Sequence, residues 1–167
     1  LGHLSRPFTS PILKHWKGTF SGPFAIPIHG FALPPVGSRA AARQAGRRVA
    51  FLGQRMAATA TIGVEHGLLD LAPGEALRAA DLMELPAEQR LFIAGGCQGE
   101  PHSSLGRISM GSHPEVKLAD GDRVIIAASV VPGCEVPVGS MFDRLLRLGA
   151  EVEHPADDPR LHASGHG

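Results

Sequence analysis

An α/β domain, built on a parallel sheet with helices on both faces, is expected from three features of this sequence. Short, uninterrupted apolar runs recur at 49–53, 91–94 and 124–128. Stretches with helical spacing lie between them, and glycines punctuate the junctions. Continuous rather than alternating apolar strands are those buried on both faces, as in sheets with helical crossovers. At 167 residues and 43% hydrophobic, the chain is long enough to bury a core.

The elements are taken in chain order. Residues 1–35 hold six prolines (Pro7, Pro11, Pro23, Pro27, Pro34 and Pro35) and five of the eight aromatic residues, without helical or alternating period. Each proline removes a backbone donor and fixes φ, so neither strand nor helix is expected there. Residues 1–36 therefore read as an irregular segment, and 37–167 as the folded domain. Charge marks the same asymmetry. Residues 1–64 carry eight Lys or Arg and no acid, whereas all sixteen Asp and Glu follow from Glu65 onward. A basic nucleic-acid-binding arm is one explanation. Only Arg6, Lys14 and Lys17 fall before residue 36, too few for a strong arm; a non-native, out-of-frame stretch explains the composition better, and a divergent native segment is the third alternative.

Ser38 to Arg48 is rich in Ala and Arg with Gly46 near its end, which predicts a short helix. Val49-Ala50-Phe51-Leu52-Gly53 reads as a buried strand, and 54–66 as a helix stopped at Gly67. Leu91-Phe92-Ile93-Ala94 is the next strand and runs into a glycine-rich loop; a helix follows over about 102–110. Asp120-Gly121-Asp122 turns the chain into a third strand, 123–128. Pro137 opens the clearest helix, with Val138, Met141, Phe142, Leu145 and Leu146 on one stripe and Gly149 as its stop. Ala150-Glu151-Val152 begins a last strand.

Composition excludes several classes. Two cysteines, Cys97 and Cys134, cannot form a disulfide framework or a four-thiolate zinc site. No apolar run approaches the ~18–20 residues of a membrane span, and Leu1-Gly2-His3-Leu4 does not open a secretion signal. A cytoplasmic protein without membrane partners is the expectation. The absence of an initiator Met points to a fragment.

Ligands of such sheets bind in loops beyond the carboxyl ends of the strands. Three polar loops fit that position: 95–104, 129–135 and 162–166. Gly95-Gly96-Cys97-Gln98-Gly99-Glu100 has the makings of an anion cradle or of an ordinary strand-to-helix turn. It lacks the spacing of a P-loop or a dinucleotide fingerprint. Cys97 is a weak candidate nucleophile, since no orienting third residue is identifiable. His162 and His166 stand four apart, but Ser164-Gly165 between them favours a loop around a phosphate over a helical metal pair. The remaining histidines read as surface or satisfied structural residues, with His113 in a solvent-like Gly-Ser-His-Pro turn.

At these three loops the sequence resembles a known family. Ile93-Ala94-Gly95-Gly96-Cys97-Gln98-Gly99-Glu100-Pro101 resembles the Thr-Gly-Ser-Gln-Gly-Glu-Pro signature of bacterial ribonuclease J, a β-CASP metallo-β-lactamase ribonuclease. Val130-Val131-Pro132-Gly133-Cys134-Glu135 is similar to its Ile-Pro-Gly-Asn-Glu segment, and His162-Ala163-Ser164-Gly165-His166 to its His-Val-Ser-Gly-His motif. Smaller similarities lie at 49–56, 66–70 and 145–152, so the resemblance covers about 40–167. Gly95-Gly96-Cys97 and Cys134 depart from the family pattern by removing polar side chains. The Phe-Ala-Ser-Asn segment survives only as Phe31-Ala32.

The resemblance implies an incomplete β-CASP domain of a hydrolase acting on phosphodiester bonds. It implies 5′-to-3′ exonuclease and endonuclease action on RNA, with two zinc ions as cofactors. The zinc ligands, including the His-x-His-x-Asp-His cluster, would lie outside this chain. No catalytic or metal-binding residue is therefore expected here, and the fragment alone is expected to be inactive. Substrate binding falls to His162, Ala163, Ser164, Gly165 and His166, with Gln98, Gly99, Glu100 and Ser129 as groove residues. A homodimer or homotetramer and RNA-decay partners are implied for the complete enzyme. The alternatives are a non-catalytic RNA-binding module, another metallo-β-lactamase-fold hydrolase, and an α/β protein whose loops match by chance.

Overall fold

The computed structural model describes residues 24–27, 46–66, 69 and 76–154. Five strands form one sheet: β1 (Phe24–Pro27), β2 (Arg48–Leu52), β3 (Arg90–Ala94), β4 (Arg123–Ile125) and β5 (Glu151–Glu153). Their spatial order is β2-β3-β1-β4-β5. Every adjacent pair is parallel, as the unbroken apolar runs imply.

Alternate residues of the strands point to opposite faces, and both faces are dry. Val49, Leu91, Ile93, Ile125 and Ala127 form one buried cluster, against which Met56 of α1 (Gln54–Glu65) packs. Ala50, Leu52, Phe92, Ala94, Val124, Ile126 and Ala128 face the other way. There they meet Leu82 of α2 (Ala79–Met83), Leu105 and Ile108 of α3 (Ser104–Ser109), and Met141 and Leu145 of α4 (Glu135–Arg147). Burying each of the larger side chains contributes roughly 1.5–3 kcal/mol. The α/β architecture with helices on both faces is thus present.

Several local expectations need correction. A strand occupies Phe24–Pro27, where none was expected, and it lies between β3 and β4 in the middle of the sheet. Proline is tolerated at the end of a strand but not within it, and Pro23 and Pro27 bracket a run that keeps its donors. The rest of 1–35 lies outside the described residues, as does most of the expected helix at 38–48. The end of that helix is replaced: Gly46 is a turn and Arg48 opens β2, drawn into the ladder opposite Arg90. Helix α3 is shorter than expected because Ser103 caps it, its hydroxyl accepting from the Gly106 amide at 3.0 Å. Helix α2 and the 3₁₀ turn Ala87–Gln89 were not foreseen. Leu146 is 56% exposed and leaves the buried stripe of α4, which narrows to Val138, Met141 and Leu145.

His113 is the clearest reversal. It is 8% exposed rather than solvated. Its Nδ1 accepts from the amides of Val116 at 3.1 Å and Glu115 at 3.3 Å, which ties the turn shut. Burial, reinforced by the charge of Arg107, lowers its pKa and keeps the ring a neutral acceptor. Among the described residues no helix is long and apolar enough to cross a membrane.

Candidate functional site

The loops that leave β3 and β4 meet at the carboxyl edge of the sheet, as the α/β rule requires. Gln98 joins them. Its Nε2 donates to the Ser129 carbonyl at 2.9 Å, and its Oε1 accepts from the Val131 amide at 2.9 Å. Its own main-chain amide donates to Glu100 Oε2 at 3.0 Å, so the Glu100 carboxylate stabilises the turn.

Gly99 makes the second junction. It has φ of +78°, and a Cβ there would lie 2.5 Å from the carbonyl carbon of Pro137 in the first turn of α4. Only glycine permits that approach. On the far side, Ser129, Val131, Pro132 and Gly133 present an exposed surface, and Glu135 Oε2 accepts from the Gly133 amide at 2.8 Å. Gln98 and Gly99 are therefore interior parts of the loop junction, while Glu100 and Ser129 are exposed at its rim.

The anion-cradle reading of 95–104 weakens on this geometry. The amides of Gln98, Gly99, Ser103 and Leu105 donate to Glu100 Oε2, Gly96 O, Glu100 O and Gly95 O, respectively. These four donors are spent within the loop, and the Ser103 hydroxyl donates to the Glu100 carbonyl at 2.7 Å. The turn is held by its own backbone.

Cys97 is 1% exposed and packs with Leu105 and Met141, and burial pushes its thiol up to about 11. A thiol so placed is a poor nucleophile. Alkylation in native buffer at about pH 8 is expected to modify the partly exposed Cys134 and to spare Cys97 until denaturant is added. Native-state labelling of Cys97 by mass spectrometry would restore the nucleophile reading.

The third loop, His162 to His166, lies outside the described residues. The last described residue before it is His154, just beyond β5, which is buried with its ring centroid 5.5 Å from that of Phe142 in an edge-to-face arrangement. Its Nε2 lies 3.2 Å from the Ala128 carbonyl, an acceptor, which assigns the proton to that nitrogen. His154 thus links the end of β5 to the start of the β4 loop, a role its sequence context does not signal. Away from these loops, a groove of about 870 Å³ opens beside α1, lined mainly by apolar atoms and including Gln54, Thr61, Leu77 and His113. Among the described residues, no three His, Cys, Asp or Glu side chains are grouped to hold a metal.

Comparison with known proteins adds an independent finding. Residues 37–145, more than half of the chain, match the family described as ribonuclease J, beta-CASP domain. Ribonuclease J of Mycolicibacterium smegmatis is 37% identical over 121 residues, 72% of this chain and 22% of that protein. Ribonuclease J of Thermus thermophilus is 36% identical over 126 residues, 75% of this chain and 22% of that protein. Ribonuclease J2 of Bacillus subtilis is 31% identical over 127 residues, covering 76% and 22%. The chain spans about a fifth of the length of these relatives.

Proposed function

This chain belongs to the ribonuclease J β-CASP family, and from that premise we propose that it is the RNA-clamping part of an RNA hydrolase. The observation that carries the reading is the match over 37–145, which includes both loops that the structure brings together. A chance resemblance of loops does not extend across a whole domain, so an unrelated α/β protein is set aside. The substrate is RNA, cut at its phosphodiester bonds from the 5′ end or internally. His162 through His166 hold a substrate phosphate, with Ser164 and the Gly165 amide as compact donors. Glu100 and Ser129 shape the rim of the groove.

Zinc is the metal this family resemblance implies, where it would activate the attacking water. The described residues do not fit it, for they contain no triad of ligands, so no step of the reaction is assigned to this chain through a metal. The part played by these residues is to bind and orient RNA.

The test uses the full-length protein that carries this chain. His166→Ala is expected to lower turnover of labelled single-stranded RNA by 10²–10³-fold, roughly the effect of removing one oxyanion donor. His113→Ala would be a poor control, because His113 is buried. Glu84→Gln, at an exposed position, is the better one and should leave turnover unchanged. RNA bound but never cleaved would favour a non-catalytic binding module. No RNA binding at all would remove the proposal.

A further inference from the structure

We infer that Gln98 is a positioning residue that sets the RNA groove by clamping the β4 loop onto the β3 loop; the inference rests on the RNA-binding reading above. Gln98 is 6% exposed. Both of its amide ends face protein groups: Nε2 meets the Ser129 carbonyl at 2.9 Å and Cys97 Sγ at 3.7 Å, and Oε1 meets the Val131 amide at 2.9 Å. A carbonyl only accepts and an amide only donates, so the orientation of the side chain is fixed by its partners. Engaged and buried, the side chain does not touch substrate.

Its partners lie just behind the exposed surface. Ser129, Val131, Pro132 and Gly133 face outward, while the backbone at 129 and 131 is held from within. His154 reinforces the arrangement by holding the Ala128 carbonyl at 3.2 Å. The ends of β3, β4 and β5 are therefore joined at 128–131 by side chain-to-backbone bonds beyond the strand ladders. Loss of Gln98 frees the Ser129 carbonyl and the Val131 amide together, and the loop shifts.

Substitution by glutamate gives a readout that packing alone does not. Ionised Gln98→Glu presents two acceptors, so it repels the Ser129 carbonyl. The protonated acid regains one donor and one acceptor and restores the clamp. The titratable groups in contact with this position are the Cys97 thiol and the Glu100 carboxylate on its main-chain amide, while Glu135 is engaged by the Gly133 amide of the β4 loop. Burial and the Glu100 carboxylate both favour the protonated form.

The experiment measures a fluorescein-labelled single-stranded RNA by anisotropy, cleavage kinetics, and amide exchange over 129–135, all in the full-length protein. Gln98→Ala is expected to weaken RNA affinity roughly tenfold, raise KM more than it lowers kcat, and speed exchange selectively over 129–135. Gln98→Glu should show the same defect at about pH 8 and approach the wild type, measured at the same pH, at about pH 5.5. Wild-type affinity and KM in both variants overturn the clamp while leaving the RNA reading intact. Faster exchange throughout the sheet also overturns it. Absence of RNA binding by the wild type removes both. If Gln98→Ala does not fold, the pH response of Gln98→Glu decides alone.

Discussion

Gly99→Ala is expected to destabilise the protein by on the order of 2–5 kcal/mol and to weaken RNA binding with it. Two effects combine. The residue has φ of +78°, and a side chain in that left-handed region costs roughly 1–2 kcal/mol. Its new methyl group would also lie 2.5 Å from the carbonyl carbon and 2.6 Å from the oxygen of Pro137. That neighbour is helix backbone, not the end of a flexible side chain. Helix α4 cannot retreat easily, because Val138, Met141 and Leu145 anchor it in the core at 3%, 0% and 0% exposure. Overpacking of this kind costs typically 1–3 kcal/mol. A domain of this size should lose roughly 4–20 °C in Tm. Gly111→Ala is the internal control: its φ is +67°, but nothing lies within 4 Å of the added Cβ. It should show the backbone cost alone. Equal, small losses in the two variants would show that Gly99 does not pack on α4.

The legible parts of this fold are those whose signal is local. Strands β2 and β3 announce themselves as apolar runs, and α4 by the spacing of Val138, Met141 and Leu145. Helix α2 has only five residues, too short for a period to emerge, and it is stabilised by burying Ala79 and Leu82 against the sheet. His113 hid for a different reason. Its burial serves backbone amides two and three residues away, an arrangement with no apolar pattern. The site divides in the same way. Its two described loops, 95–104 and 129–135, follow from the rule for strand ends and from motif resemblance. The task of Gln98 does not, because its partners are main-chain groups 31 and 33 residues further along. Nothing in the side chains of Ser129 or Val131 advertises that pairing.

Strand β1 provides the other large expected effect: Ala25→Pro should destabilise the fold by on the order of 3–4 kcal/mol. Ala25 pairs with Phe92 of β3 on one side and Val124 of β4 on the other. Whichever neighbour its amide faces, a ladder acceptor is there to lose its donor. Leaving a buried carbonyl unsatisfied costs roughly 1–3 kcal/mol, and forcing φ toward the proline value in a parallel strand adds strain of similar size. Proline is confined to strand ends and edges for this reason, and Pro27 at the end of β1 obeys the rule. The experiment also decides whether residues 24–27 belong to the native sheet. Their composition argues for a non-native segment, whereas a strand in the centre of the sheet argues that this part of the chain is required for folding. Thermal unfolding of the full-length protein separates the two. A clear drop in Tm places 24–27 in the native sheet, because a central strand cannot be broken without separating β3 from β4. An unchanged Tm means that β1 contributes nothing to the native sheet, and the out-of-frame explanation stands. Translation of the source DNA in its other two frames then has to yield a segment with acidic residues that ends in a Phe-Ala-Ser-Asn-like loop.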